Sequence, residues 1–160
     1  MSISLVTGDL PIHHLIRAGY AAWGRGDMRP LFALATEDCE LTIIGNPALN
    51  PGSGTWIGRA GIAQAFALIR SEMILRDITI ESLAVTESRA FVHRHTTHEI
   101  VRTGRIHESQ FVDVLDLDDG RIIRVQIFYD SATMALMTGQ ARISTLLARP
   151  AGDSRATTAG

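Results

Sequence analysis

About halfway along this chain the spacing of its apolar residues changes, and that change limits the possible folds more than any single motif does. Up to Met73 the apolar positions recur every three or four residues, which lines them along one side of a helix. From Ile78 onward they tend to alternate, which puts every second side chain on one face of a strand. The first helical stretch runs from about Leu10 to Arg25 and carries Ile12, Leu15, Ile16, Gly19, Tyr20 and Trp23 on one face. Asp9 is placed to cap it and Pro11 suits its first turn, while Gly24 and Gly26 end it, because glycine accepts the left-handed conformation that closes helices. A short second helix is expected from Met28 to Ala35 with Asp27 as its cap, and a third from Gly61 to about Met73.

Cys39–Ile44 reads as a strand, and residues 45–58 as a loop rich in Gly, Pro, Asn and Ser, interrupted by Thr55-Trp56-Ile57. Further strands are expected over 78–85, over about Arg89–Arg102 and over Ile106–Leu117, with turns at Glu87-Ser88 and Gly104. Asp118-Asp119-Gly120 predicts a tight hairpin, since Asp and Gly tolerate the positive φ such turns require, and Arg121–Tyr129 is the return strand. A helical segment over Ser131–Leu147, bent near Gly139, precedes a tail at 148–160 expected to be disordered. Helices first and strands after imply an α+β fold: N-terminal helices packed against one face of a strongly curved, mainly antiparallel sheet. One domain is expected over 1–147, with its core at about 10–130.

Charge narrows the partners. Fifteen Lys and Arg against seventeen Asp and Glu leave a formal charge of -2, with no basic block to follow a phosphate backbone, so nucleic acid is not expected. The lone Cys39 lies between Asp38 and Glu40; it cannot form an intrachain disulfide, and its acidic neighbours disfavour a thiolate nucleophile. No run of about 18 apolar residues is long enough to cross a membrane. Met1–Leu10 lacks the basic start and apolar run of a secretory leader, so a cytoplasmic location is expected.

Three segments carry a family resemblance: Tyr20-Ala21-Ala22-Trp23-Gly24-Arg25-Gly26-Asp27, Gly58-Arg59-Ala60-Gly61-Ile62, and the stretch from Phe111-Val112-Asp113 through Asp118-Asp119-Gly120 to Ile122. In this order and spacing the chain resembles the SnoaL-like, ketosteroid-isomerase-like branch of the nuclear transport factor 2-like superfamily, over about residues 10 to 130. The resemblance implies a cone-shaped, cystatin-like roll, a hydrophobic cavity open at one end, and a homodimer. It implies an acid/base enzyme of isomerase, cyclase or dehydratase type, acting without a cofactor on a small apolar or aromatic oxygenated molecule. The alternatives are a non-catalytic ligand-binding or dimerisation module and an epoxide hydrolase-like enzyme.

Asp113 is the leading catalytic candidate. Strand periodicity places it on one face with Ser109, Phe111, Leu115 and Leu117, and a carboxyl group among apolar neighbours can stay protonated and donate a proton. On that view Asp113→Asn spares stability; the other reading is that Asp113 pairs with an arginine. By resemblance Asp113 matches the acid that stabilises the enolate oxygen in ketosteroid isomerases, whereas Ile43 stands nearest their general base, and Tyr20 lies one residue from their oxygen-donating tyrosine. His95, His98 and His107 are candidate proton carriers, with His98 on the opposite strand face from His93 and His95, and Asp130 is a second candidate acid. Two strand histidines fall short of the three or four ligands zinc needs, so no metal is expected. Tyr20, Trp23, Trp56, Phe66, Phe111 and Phe128 are candidate aromatic walls, and Arg94, Arg124 and Gln126 candidate polar contacts. For the epoxide hydrolase reading, the resemblance implies two aspartates bridged by an arginine around a water, a set that Asp113 and Asp130 with Arg94 or Arg105 would imitate.

Overall fold

The change of period appears as two layers in the computed structural model, which describes residues 11–140 and residue 142. Asp9, the later part of the expected C-terminal helix and the tail at 148–160 lie outside the described residues. The elements are α1 (Pro11–Gly24), α2 (Arg29–Leu34), β1 (Ala35–Ile43), β2 (Gly54–Ile57), α3 (Gly58–Glu72), β3 (Met73–Val85), β4 (Arg89–Ile100), β5 (Ile106–Asp118), β6 (Arg121–Tyr129) and α4 (Ser131–Thr138). Six strands form one curved sheet in the order β2-β1-β6-β5-β4-β3, antiparallel throughout except for the parallel pair β1 and β6.

The local signals explain most boundaries. Asp119 and Gly120 take φ of 45° and 70°, the left-handed pair that joins β5 to β6 in the expected hairpin. Gly26, at φ 85°, follows the end of α1. Asp27 accepts the backbone N–H of Arg29 at 3.0 Å as the chain enters α2, although Met28 occupies the cap position itself. Gly139 at φ 78° ends α4 at Thr138.

β3 starts five residues before the alternating pattern shows it, because α3 passes straight into extended backbone at Met73. A register shift between Leu75 and Asp77 interrupts the alternation there, so the period that marks a strand is hidden. A second shift in β3 between Ile80 and Ser82, and one in β5 between Asp116 and Leu117, add local bends to the sheet.

α1 and α3 cover the concave face. Ile16 and Tyr20 of α1 and Ile62 and Ala65 of α3 meet Leu41, Val92, Leu115, Ile122 and Ile127 of the sheet in one core. β5 buries Phe111, Asp113, Leu115 and Leu117 as its periodicity predicts. Cys39 lies in the same core; burial first, then Asp38 and Glu40, push its thiol up to about 11, so it stays protonated. Among the described residues no helix is long and apolar enough to cross a membrane.

Candidate functional site

Alternation along β4 decides what faces the helices. Val92, Arg94, Thr96, His98 and Ile100 all point inward and are buried. An arginine and a histidine therefore enter a mainly hydrocarbon core, and each requires a partner there.

Arg94 finds its partner on the adjacent strand. Its Nε donates to Asp113 Oδ2 at 2.6 Å and its Nη2 to Asp113 Oδ1 at 3.1 Å, with the two side chains 3% and 1% exposed. Tyr20 of α1 donates its hydroxyl to Asp113 Oδ2 at 2.6 Å. Burial, then the Asp113 charge, raise the Tyr20 hydroxyl well above its ordinary value, so it remains a donor. Aromatic rings close over the guanidinium, whose Cζ lies 5.0 Å from the Trp23 ring centroid and 4.2 Å from that of Phe111. Phe111 in turn stacks on Tyr129 at 5.3 Å and meets His98 at 6.0 Å.

This network stands between two small cavities of about 70 Å³ each. The first, bounded by α1, α2 and the sheet, is apolar apart from Tyr20 and Asp113. The second lies toward the loop at Asn50–Gly52 and α4, and is lined by Arg94, His98, Glu72 and Tyr129 among apolar groups. A wider cavity of about 290 Å³ opens beside the second, sharing His98, Ile69 and Met73 with it. Trp23 and Phe66, in edge contact at 5.5 Å, line all three.

His98 faces its cross-strand neighbour His107 in register. Burial lowers the His98 imidazole to about 4, helped by the charges of Arg94 and His107, so it is neutral near pH 7. Its Nδ1 lies 3.4 Å from the Thr96 hydroxyl.

The structure brings together Tyr20, Trp23, Phe66, Arg94, His98, Phe111 and Asp113. Other expected site residues lie outside these cavities. His95 is on the opposite sheet face, 3.7 Å from Glu108, and the half-buried His107 lines none of the three cavities. Asp130 is exposed and caps α4, accepting from the Thr133 hydroxyl at 2.7 Å and its N–H at 2.9 Å; those bonds lower its carboxyl. Arg124 pairs across the outer face with Glu40 and Asp116, and Gln126 and Phe128 share that face. Trp56 donates its indole N–H to the Gly52 carbonyl at 3.0 Å and packs against the start of α3. Arg105 is exposed in the β4–β5 turn. Asp113 is accordingly an arginine-paired carboxyl group rather than a lone one.

Ile43 lines the second cavity and presents only hydrocarbon there. The contributions of Asn50, Glu72 and Tyr129 had no signal in sequence, because a long loop, a helix end and a strand end converge on them only in the fold. Thr96 was legible by its two-residue spacing from Arg94 and His98.

A family model for the SnoaL-like domain matches residues 16–125. Among solved structures, an NTF2-like protein of unknown function from Burkholderia pseudomallei superposes with a TM-score of 0.75 at 19% identity, over 81% of this chain and 98% of that one. TerC, co-crystallised with polyporic acid, has a TM-score of 0.69 at 21% identity, over 81% of this chain and 99% of its own. A protein with a ketosteroid isomerase-like fold from Catenulispora acidiphila, in complex with trimethylamine, has a TM-score of 0.64 at 17% identity, over 82% and 95% of the two chains. At these identities the likeness concerns the fold. No curated protein matches the chain at the level of sequence.

Two predictions follow from the geometry. Asp113→Asn leaves Arg94 buried without its counter-charge and is expected to lower unfolding stability by about 3–5 kcal/mol in urea denaturation. Replacing the pair together, Arg94→Met with Asp113→Leu, is expected to recover most of that loss; a single Asn variant as stable as the parent contradicts this account. His98 titrates at about 4 in the fold against 6.5 as a free side chain, so the unfolded chain takes up the proton first as pH falls. Stability is therefore expected to drop between about pH 6.5 and 4, by on the order of 3 kcal/mol from this group. Denaturation at stepped pH should show this slope weakened in His98→Leu, and an unchanged slope there refutes the assignment.

Proposed function

We propose that this chain, which belongs to the SnoaL-like domain family, holds a small, mainly apolar oxygenated molecule in the cavities between its helices and its sheet. The observation that carries this reading is the buried Tyr20–Asp113–Arg94 network bordering unfilled apolar space. A buried ion pair is no better for stability than well-packed hydrocarbon of the same volume, and a void beside it costs further stability. Two costly features at one place are understandable when a ligand uses them. The small organic molecules named with TerC and with the Catenulispora protein support a small-molecule ligand here.

Both Asp113 oxygens already accept hydrogen bonds from Arg94, and one also from Tyr20, so Asp113 acts in this reading as an anchor and not as a base. A catalytic reading is favoured by a different observation, the neutral His98 imidazole lining the second cavity beside Arg94. In that case His98 takes up and returns the proton of an isomerase-type reaction. The epoxide hydrolase reading lacks support, since Arg94 pairs with Asp113 but Asp130 is exposed and caps α4, and Arg105 is exposed.

We also infer a homodimer formed through the outer face of the sheet. Phe91, Val112 and Phe128 are 40–42% exposed on β4, β5 and β6, and the strand register sets them on one patch.

A ligand of this class is expected to change the fluorescence of Trp23, which lines all three cavities described above, and to bind at least about tenfold more weakly to Ile127→Phe, whose added ring fills the meeting point of the first two. Equal affinity for the variant rules out this cavity. Turnover of the bound compound that disappears in His98→Gln moves the assignment from binder to enzyme. Light scattering should give twice the chain mass for the parent and a shift toward monomer for Val112→Lys; a monomeric parent at high concentration refutes the dimer.

A further inference from the structure

We propose that the second cavity is a receptor for an uncharged carbonyl oxygen, which accepts a hydrogen bond from Nη1 of Arg94. This deepens the ligand reading above and rests on it. A guanidinium has five N–H donors on three nitrogens. Asp113 engages Nε and Nη2, and among the described residues Nη1 makes no hydrogen bond. The Trp23 and Phe111 rings lie 5.0 and 4.2 Å from Cζ, and Asp113 holds the Nε and Nη2 edge, which leaves Nη1 to receive an acceptor. Arg94 is 3% exposed, and what it lines is the second cavity, where unmet donors favour an acceptor.

The charges in the wall select against an ion. Asp113 already neutralises Arg94, and the acidic Glu72 is among the residues that line the same cavity. An anionic ligand would add a further negative charge opposite a cation that is already paired. A cationic ligand would face Arg94, which occupies the aromatic faces that would otherwise receive it. His98, neutral near pH 7, does not alter this balance. A carbonyl oxygen offers two acceptor lone pairs to the unmet donors of Arg94 and, unlike a hydroxyl, asks for no acceptor in return.

Size sets the orientation. Benzene fills a cavity of roughly 150 Å³, so a space of about 70 Å³ takes an acetyl-sized end and not a ring. The adjoining cavity of about 290 Å³, which borders it at His98, Ile69 and Met73, takes the body of the molecule.

The test uses four probes of similar shape on the intact protein at neutral pH: acetophenone, cumene, benzoate and phenyltrimethylammonium, each titrated by NMR. Acetophenone is expected to bind at least about tenfold more tightly than the other three. In the double variant Arg94→Met with Asp113→Leu its advantage over cumene is expected to vanish. Tighter binding of either ion, equal binding of acetophenone and cumene, or an advantage that survives in the double variant overturns the proposal. The ranking in the parent protein decides the matter whether or not the double variant folds. Cumene binding without any preference for the ketone sinks only the carbonyl receptor, whereas no binding by any probe sinks the cavity reading with it.

Discussion

The contact on which the rest of this structure depends is the one between Asp113 and its two donors. Arg94 comes from β4, Asp113 from β5 and Tyr20 from α1, so two hydrogen bonds tie neighbouring strands together and a third joins the helical layer to the centre of the sheet. A charge pair this deep must be satisfied from every side, because water is not there to compensate an error of placement. The aromatic contacts around it have the same consequence. Trp23 and Phe111 cover the guanidinium, and each packs on further rings, Phe66 and Tyr129, that form cavity walls.

That arrangement separates two kinds of surface within one small interior. On the Tyr20 side the walls are almost wholly hydrocarbon; on the Arg94 side they include a histidine, a glutamate and a tyrosine. The distinction arises from the sheet itself. Arg94 and His98 stand four residues apart on the same face of β4, so the strand places one polar group at the Asp113 network and the next at the edge of the wider cavity. Ile43 completes the contrast by offering hydrocarbon where the resemblance to ketosteroid isomerases points to an aspartate.

Much of this was legible in sequence. The period-two runs located β4, β5 and β6 to within about two residues, and the Asp-Gly turn between the last two appears with the positive φ values its chemistry requires. The inward face of β5, with Asp113 among Phe111, Leu115 and Leu117, follows from alternation alone. The start of β3 did not show, because a bulge breaks its alternation directly after a helix. Trp56, a large aromatic in a loop, and Asp130, an acid at a strand end, have the sequence setting of site residues. Their roles are local, one bonding to Gly52 and the other capping α4, and local roles leave the same composition as functional ones.

The sequence by itself determined the order of elements, the α+β class, and which side chains of a strand share a face, since these depend on spacing along the chain. Only the tertiary structure decided that Arg94 meets Asp113 and that Tyr20 reaches across from α1 to join them. Those residues are 19 and 93 positions apart, and nothing in local periodicity encodes a contact over such separations. The same reason separates the histidines. Alternation set His98 and His95 on opposite faces, but it took the packing of α1 and α3 onto one of those faces to make His98 a cavity residue and leave His95 outside.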